Sequence, residues 1–146
     1  MTEKINLSFQ QHYRGRFGSI LRWHQLDELW DVVKAQPEGW YIYLIGDTLP
    51  TQHASAEELK NFITEVDTLL RQEHEERYCG IVYADNTTQP QMIKIFDPNN
   101  LGSSCGSSGK VIPPRWLLSR ILPETIEDDA PMPMNRKRWW QRLFSN

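Results

Sequence analysis

Apolar positions along this chain change period several times, and each change marks an element. The run Arg16 to Trp23, RFGSILRW, reads as a strand in which Gly18 offers a place for a bulge. Leu26, Leu29, Trp30 and Val33 fall at i, i+3, i+4 and i+7, which predicts a short helix over about 26–35. Pro37 and Gly39 stop it. GWYIYLIG then gives the clearest strand, rich in aromatic and β-branched residues.

Ser55 and Glu58 have the spacing of a capping box and open a second helix. Leu59, Phe62, Ile63, Val66, Leu69 and Leu70 hold the helical period for about four turns. Glu57, Lys60, Asn61, Asp67, Arg71 and Gln72 occupy its other face. RYCGIVYAD and QMIKIFD, joined by the turn-rich NTTQP, read as an antiparallel hairpin. A Gly/Ser/Asn-rich stretch follows, and PPRWLLSRIL is expected to form a short helix with Pro114 near its first position.

The order β-α-β-α-β-β, then a short helix and a tail, implies an α+β domain. About four strands in a mixed or antiparallel sheet would be covered by two helices. The expected boundaries are a domain over 1–123, an acidic and proline-bearing linker over 124–135, and a basic aromatic tail over 136–146.

Composition agrees with one domain. The chain has 146 residues, 39% of them hydrophobic, and its six Trp enlarge the area available for burial. The longest apolar run, Trp40 to Ile45, is far short of the roughly 18 residues a membrane span requires. The polar start MTEKINLSFQQHYRGR is unlike a secretion signal, so a cytoplasmic protein is expected. Two cysteines, Cys79 and Cys105, then read as reduced thiols.

The net charge of −3 is unevenly placed. Residues 135–146 hold four of the 16 Lys and Arg and none of the 19 acids, leaving −7 on the remainder. An acidic body disfavours nucleic-acid binding through its overall field.

Three stretches are candidates for chemistry. The first begins at Asp97 and runs through Asn99, Asn100, Ser103, Ser104 and Cys105 to Lys110. Glycines there would let backbone N–H groups face an anion. A phosphate loop, however, requires Gly at position 104 and Ser or Thr after Lys110, where Ser104 and Val111 stand. Cys105 is the one candidate nucleophile. The phosphatase pattern would place His before it and Arg six residues after it, and neither is present. His12, His24, His53 and His74 show no metal-ligand spacing with one another, and the cysteines form no CxxC pair. No catalytic residue, metal or cofactor is therefore expected.

The second stretch is HYRGRF, in which Arg14 and Arg16 alternate with Tyr13 and Phe17, a composition suited to weak nucleic-acid binding. The third is the tail. On a helical wheel Trp139, Trp140, Leu143 and Phe144 cover an arc of about 140°. Lys137, Arg138 and Arg142 lie outside that arc, and Arg136 falls within it. Such a face must dock, on the protein's own core or on a partner. The expected function is that of a small accessory or adaptor protein of bacterial type, binding a protein partner through this tail without catalysis. The alternatives are an enzyme or anion binder using the 99–110 stretch, and nucleic-acid binding through Arg14, Arg16 and the tail.

Overall fold

The computed structural model describes residues 8–99, 112–126 and 132–144. Its elements, in chain order, are α1 (Phe9–Tyr13), β1 (Gly18–Ser19), α2 (Trp23–Ala35), β2 (Tyr41–Leu44), α3 (Ala56–Glu73), β3 (Val82–Ala84), β4 (Met92–Ile95), β5 (Trp116–Ser119) and α4 (Met134–Phe144). The class is α+β, as the pattern implies. The sheet has five strands in the order β1-β3-β4-β5-β2, and every pairing is antiparallel.

The fifth strand corrects the reading of PPRWLLSRIL as a helix. Trp116, Leu117, Leu118 and Ser119 are all buried because β5 lies between β4 and β2, with layers on both faces. A strand covered on both faces loses its apolar–polar alternation. The first expected strand also contracts. β1 pairs through Gly18 and Ser19, an isolated bridge joins Arg22 to Tyr78, and α2 already begins at Trp23. Gln25 starts it by accepting the Arg22 backbone N–H at 3.0 Å.

One face of the sheet carries Ile42, Leu44, Val82, Ala84, Ile93, Ile95, Trp116 and Leu118. The apolar sides of α2 and α3 close over it, with Leu26, Leu29, Trp30 and Val33 from one and Leu59, Phe62, Ile63 and Val66 from the other. The capping box at α3 forms as its spacing implies. Ser55 Oγ accepts the Glu58 N–H at 3.0 Å, and Glu58 Oε1 accepts the Ser55 N–H at 2.9 Å. Arg71 clasps the two helices together, reaching Asp67 at 3.0 Å and Asp27 at 2.7 Å while lying over the Trp23 ring.

The end of α2 is held by Arg120. Its guanidinium donates to Gln36 O and Glu38 O at 2.8 and 2.9 Å and lies over Trp40. Gly39, at φ 86°, makes that approach feasible, since a Cβ there would sit 3.3 Å from Arg120 Nη1.

The other face carries a smaller apolar layer of Phe9, Tyr43, Ile45, Met92, Leu117 and Ile126. It includes α1, an element the polar N-terminal composition conceals. Ser8 Oγ accepts from Gln11 N–H, and Gln11 Oε1 accepts from Ser8 N–H, a capping box at the minimum scale. Phe9 then anchors the turn in the layer beneath.

The C-terminal segment is a helix seated on its own domain. Trp139, Trp140, Leu143 and Phe144 pack against the main core. The Trp139 ring centroid lies 5.4 Å from that of Trp116 and 6.1 Å from that of Phe62. Of the two surfaces expected for the aromatic face, α4 meets the protein's own core. Pro133 stands just before the helix, and its carbonyl O accepts the Arg136 and Lys137 N–H groups at 3.1 Å.

Candidate functional site

Two candidate groups, widely separated in sequence, meet at one point. Asp97 stands two residues after β4, and Arg136 lies in the first turn of α4; each is 2% exposed. Arg136 Nε donates to Asp97 Oδ2 at 3.0 Å, and Nη2 donates to Oδ1 at 3.0 Å. On its other side Arg136 donates to both carboxylate oxygens of Glu73, the last residue of α3, at 2.9 and 2.7 Å. Burial opposes the charged form of Arg136, but the hydrogen bonds to Glu73 and Asp97 outweigh it and push the guanidinium pKa upward.

Arg115 completes the cluster. It stands one residue before β5, is itself 2% exposed, and places Nε 3.6 Å from Asp97 Oδ2. Its Nη1 donates to Ile45 O at 3.2 Å. Asp97 Oδ1 also accepts the backbone N–H of Asn99 at 2.9 Å. One carboxylate therefore holds both ends of the β4–β5 connection and the start of α4. Among the described residues two guanidiniums face two carboxylates, and the geometry tethers elements.

Of the residues proposed from sequence, Asp97 and Arg136 are thus joined, and Asn99 is exposed beside them. Asn100, Ser103, Ser104, Cys105 and Lys110 lie outside the described residues, so the anion-binding and nucleophile readings of that stretch rest on sequence alone. Lys137, Arg138 and Arg142 are exposed on α4, whereas Trp139, Trp140, Leu143 and Phe144 are half-buried. Sequence reading missed Glu73 and Arg115. Glu73 sits in a polar helix end, and Arg115 lies in a stretch whose pattern also suits a helix, so neither carries a local signal.

The seam between α3 and α4 has relief. Two shallow clefts flank Trp139. One, of about 340 Å³, is lined by Glu65, Thr68, Gln72, Glu73, Asn135 and Arg142 among others. The second, of about 260 Å³, is lined by Asn61, Glu65, Trp139, Arg142 and Leu143.

A second charged centre lies on the opposite face of the sheet. Lys94, in the middle of β4, donates from Nζ to Tyr13 O at 2.7 Å. The same ammonium lies 4.2 Å from the Tyr13 ring centroid and 3.9 Å from that of Phe17. Burial pushes its pKa down to about 8. Burial likewise pushes the Tyr13 hydroxyl up to about 12. His12 Nε2 meets Asp85 Oδ2 at 2.8 Å, fixing α1 to the β3–β4 hairpin. Asp85 Oδ1 also accepts the N–H groups of Asn86, Gln91 and Met92.

Among the described residues, no three His, Cys, Asp or Glu side chains converge as metal ligands, and no helix is long and apolar enough to cross a membrane. Cys79 is buried, and burial raises its thiol pKa. No protein-family model matches the chain, and neither does any solved structure. A protein of Aquifex aeolicus (strain VF5), described as uncharacterized, is similar at 28% identity over 88 residues. That match covers 57% of this chain and 68% of the Aquifex protein.

Proposed function

We propose that this chain is an accessory protein that binds a protein partner along the α3–α4 seam and performs no catalysis of its own. The observation that supports this reading is the state of Trp139. One side of its ring is fixed by Phe62 and Trp116, while the residue remains half-buried between two clefts. A rigid, partly open tryptophan beside an exposed arginine is the composition in which binding energy concentrates at interfaces. Arg142 borders both clefts and is exposed. Arg136, by contrast, holds the helix in place from beneath.

In this arrangement the aromatic face of α4 serves two purposes. Its inner part replaces solvent over Phe62 and Trp116, and its rim, with Lys137, Arg138 and Arg142, meets the partner. The partner's complementary surface would be acidic with an apolar centre. A cytoplasmic location belongs to the same proposal.

The test is affinity purification from the native host using the intact chain and Arg142→Glu in parallel. Arg142 is exposed, so the reversal should leave the melt unchanged. The expected result is a defined partner that is retained by the wild type and lost by the variant. An identical set of captured proteins in both samples would remove the seam from consideration.

A further inference from the structure

The β1–β3–β4 half of the sheet's second face carries cations and rings that the α3–α4 seam does not use. Lys94 and Tyr83 are direct cross-strand partners on this face. The Tyr83 ring meets the Phe96 ring edge-on at 5.4 Å. The Phe17 ring lies over Lys94 Nζ and is fixed there by a cation–π contact. Phe17, Tyr83 and Phe96 are all half-buried, each neither sealed in the core nor loose in solvent.

Arg14 and Arg16 belong to the same strip, between Tyr13 and Phe17. Both are exposed, and among the described residues neither forms an ion pair. The carboxylate of the strip, Asp85, is committed to His12 and three backbone N–H groups. Among the described residues, most exposed acids of the two long helices lie elsewhere. Asp27, Glu28 and Asp31 on α2 and Glu57, Glu58 and Glu65 on α3 are exposed over the opposite face. Glu124, also exposed, precedes Thr125, whose carbonyl O accepts from Gln10 Nε2 of α1 at 3.4 Å. The exposed acids of α2 and α3 therefore lie across the sheet from this strip.

We infer that the strip binds single-stranded nucleic acid, with bases stacking on Phe17, Tyr83 and Phe96 and phosphates meeting Arg14 and Arg16. Rings set into a sheet surface accept any unpaired base, because every base has a π-face. A duplex hides those faces, and an acidic peptide would satisfy the arginines while leaving the rings unused. Lys94 acts from below by holding Phe17 and the α1 end in register.

Fluorescence anisotropy tests this with the full chain at low salt, using labelled oligouridylate and oligodeoxythymidylate of roughly 12 nucleotides, within the usual site range. A duplex of equal length and uridine monophosphate serve as competitors. Saturable binding of the single strands is expected, with a log–log salt slope of about 1.4 for two phosphate contacts. Arg14→Glu with Arg16→Glu should abolish it. Tyr83→Leu should weaken it roughly five- to hundredfold while circular dichroism stays unchanged. Four outcomes would overturn the inference: no saturable binding, full binding by Tyr83→Leu, loss of binding through Arg142→Glu instead, or displacement by the mononucleotide or duplex as efficiently as by the single strand.

Discussion

Replacing Arg136 with methionine keeps much of the side-chain volume and removes four hydrogen bonds, two to Asp97 and two to Glu73. Breaking a buried ion pair from one side costs about 3–5 kcal/mol, because the remaining charge stays buried. Here the consequences for the two carboxylates differ. Glu73 has a side chain 34% exposed and can return to water. Asp97 keeps Arg115 at 3.6 Å and the Asn99 N–H. The expected loss is therefore at the lower end, about 3 kcal/mol. Asp97→Asn removes the carboxylate that Arg115 and Arg136 share and leaves Glu73 as Arg136's acid among the described residues. Its expected loss is about 5 kcal/mol, at the upper end. For a chain near this length, each kcal/mol moves Tm by about 2–4 °C, so the two variants should differ by several degrees. Urea denaturation followed by circular dichroism reads both, with the slope m checked for constancy. The reasoning fails if Arg136→Met costs less than about 1 kcal/mol, or if Asp97→Asn is the milder change.

Three further outcomes follow from the packing and the charges. Phe62 is fully buried beneath Trp139 and Trp140, so Phe62→Ala should cost about 3–5 kcal/mol in the same assay, and deleting residues 131–146 should lower Tm by exposing Phe62 and Trp116; an unchanged melt in either case would mean that α4 does not cover the core. Lys94 has its folded pKa lowered to about 8 from 10.5, so between those values the unfolded chain binds more protons and stability rises with pH; Lys94→Met should flatten the rise measured between pH 7.5 and 9, and an unaltered slope would refute the assignment. Cys79, fully buried with a raised pKa, should resist alkylation in the native protein and react after unfolding, and rapid native labelling traced to Cys79 by mass spectrometry would contradict its position.

What the sequence discloses depends on whether a feature is local. The capping box at Ser55 and the apolar stripe of α3 lie within one helix, and both form as the spacing implies. The box at Ser8 was equally local, but its helix is five residues long and too short for periodicity to reveal. WLLS forms a strand where its pattern implies a helix, because a strand covered on both faces has no alternation and the preceding prolines suit a helix start equally well. The pairing of Asp97 with Arg136 spans 39 positions and leaves one trace, an arginine inside an otherwise apolar arc. Whether that arc faces the chain's own core or a partner is decided by the surface it meets, which no local pattern encodes.

The place of β5 in the sheet has a consequence for the order of assembly. Among the described residues β2 pairs with β5 alone, and about 75 residues separate the ends of the two strands. During synthesis at about 5–20 residues per second, β2 therefore waits roughly 4–15 s with Ile42 and Leu44 lacking their cross-strand neighbours. The β3–β4 hairpin can close early, because its pairing is local, and it offers the edge onto which β5 later adds. Nascent chains halted before residue 116 should consequently hold a native-like hairpin and α3 beside an unpaired β2. That partial sheet is the species on which a chaperone would act.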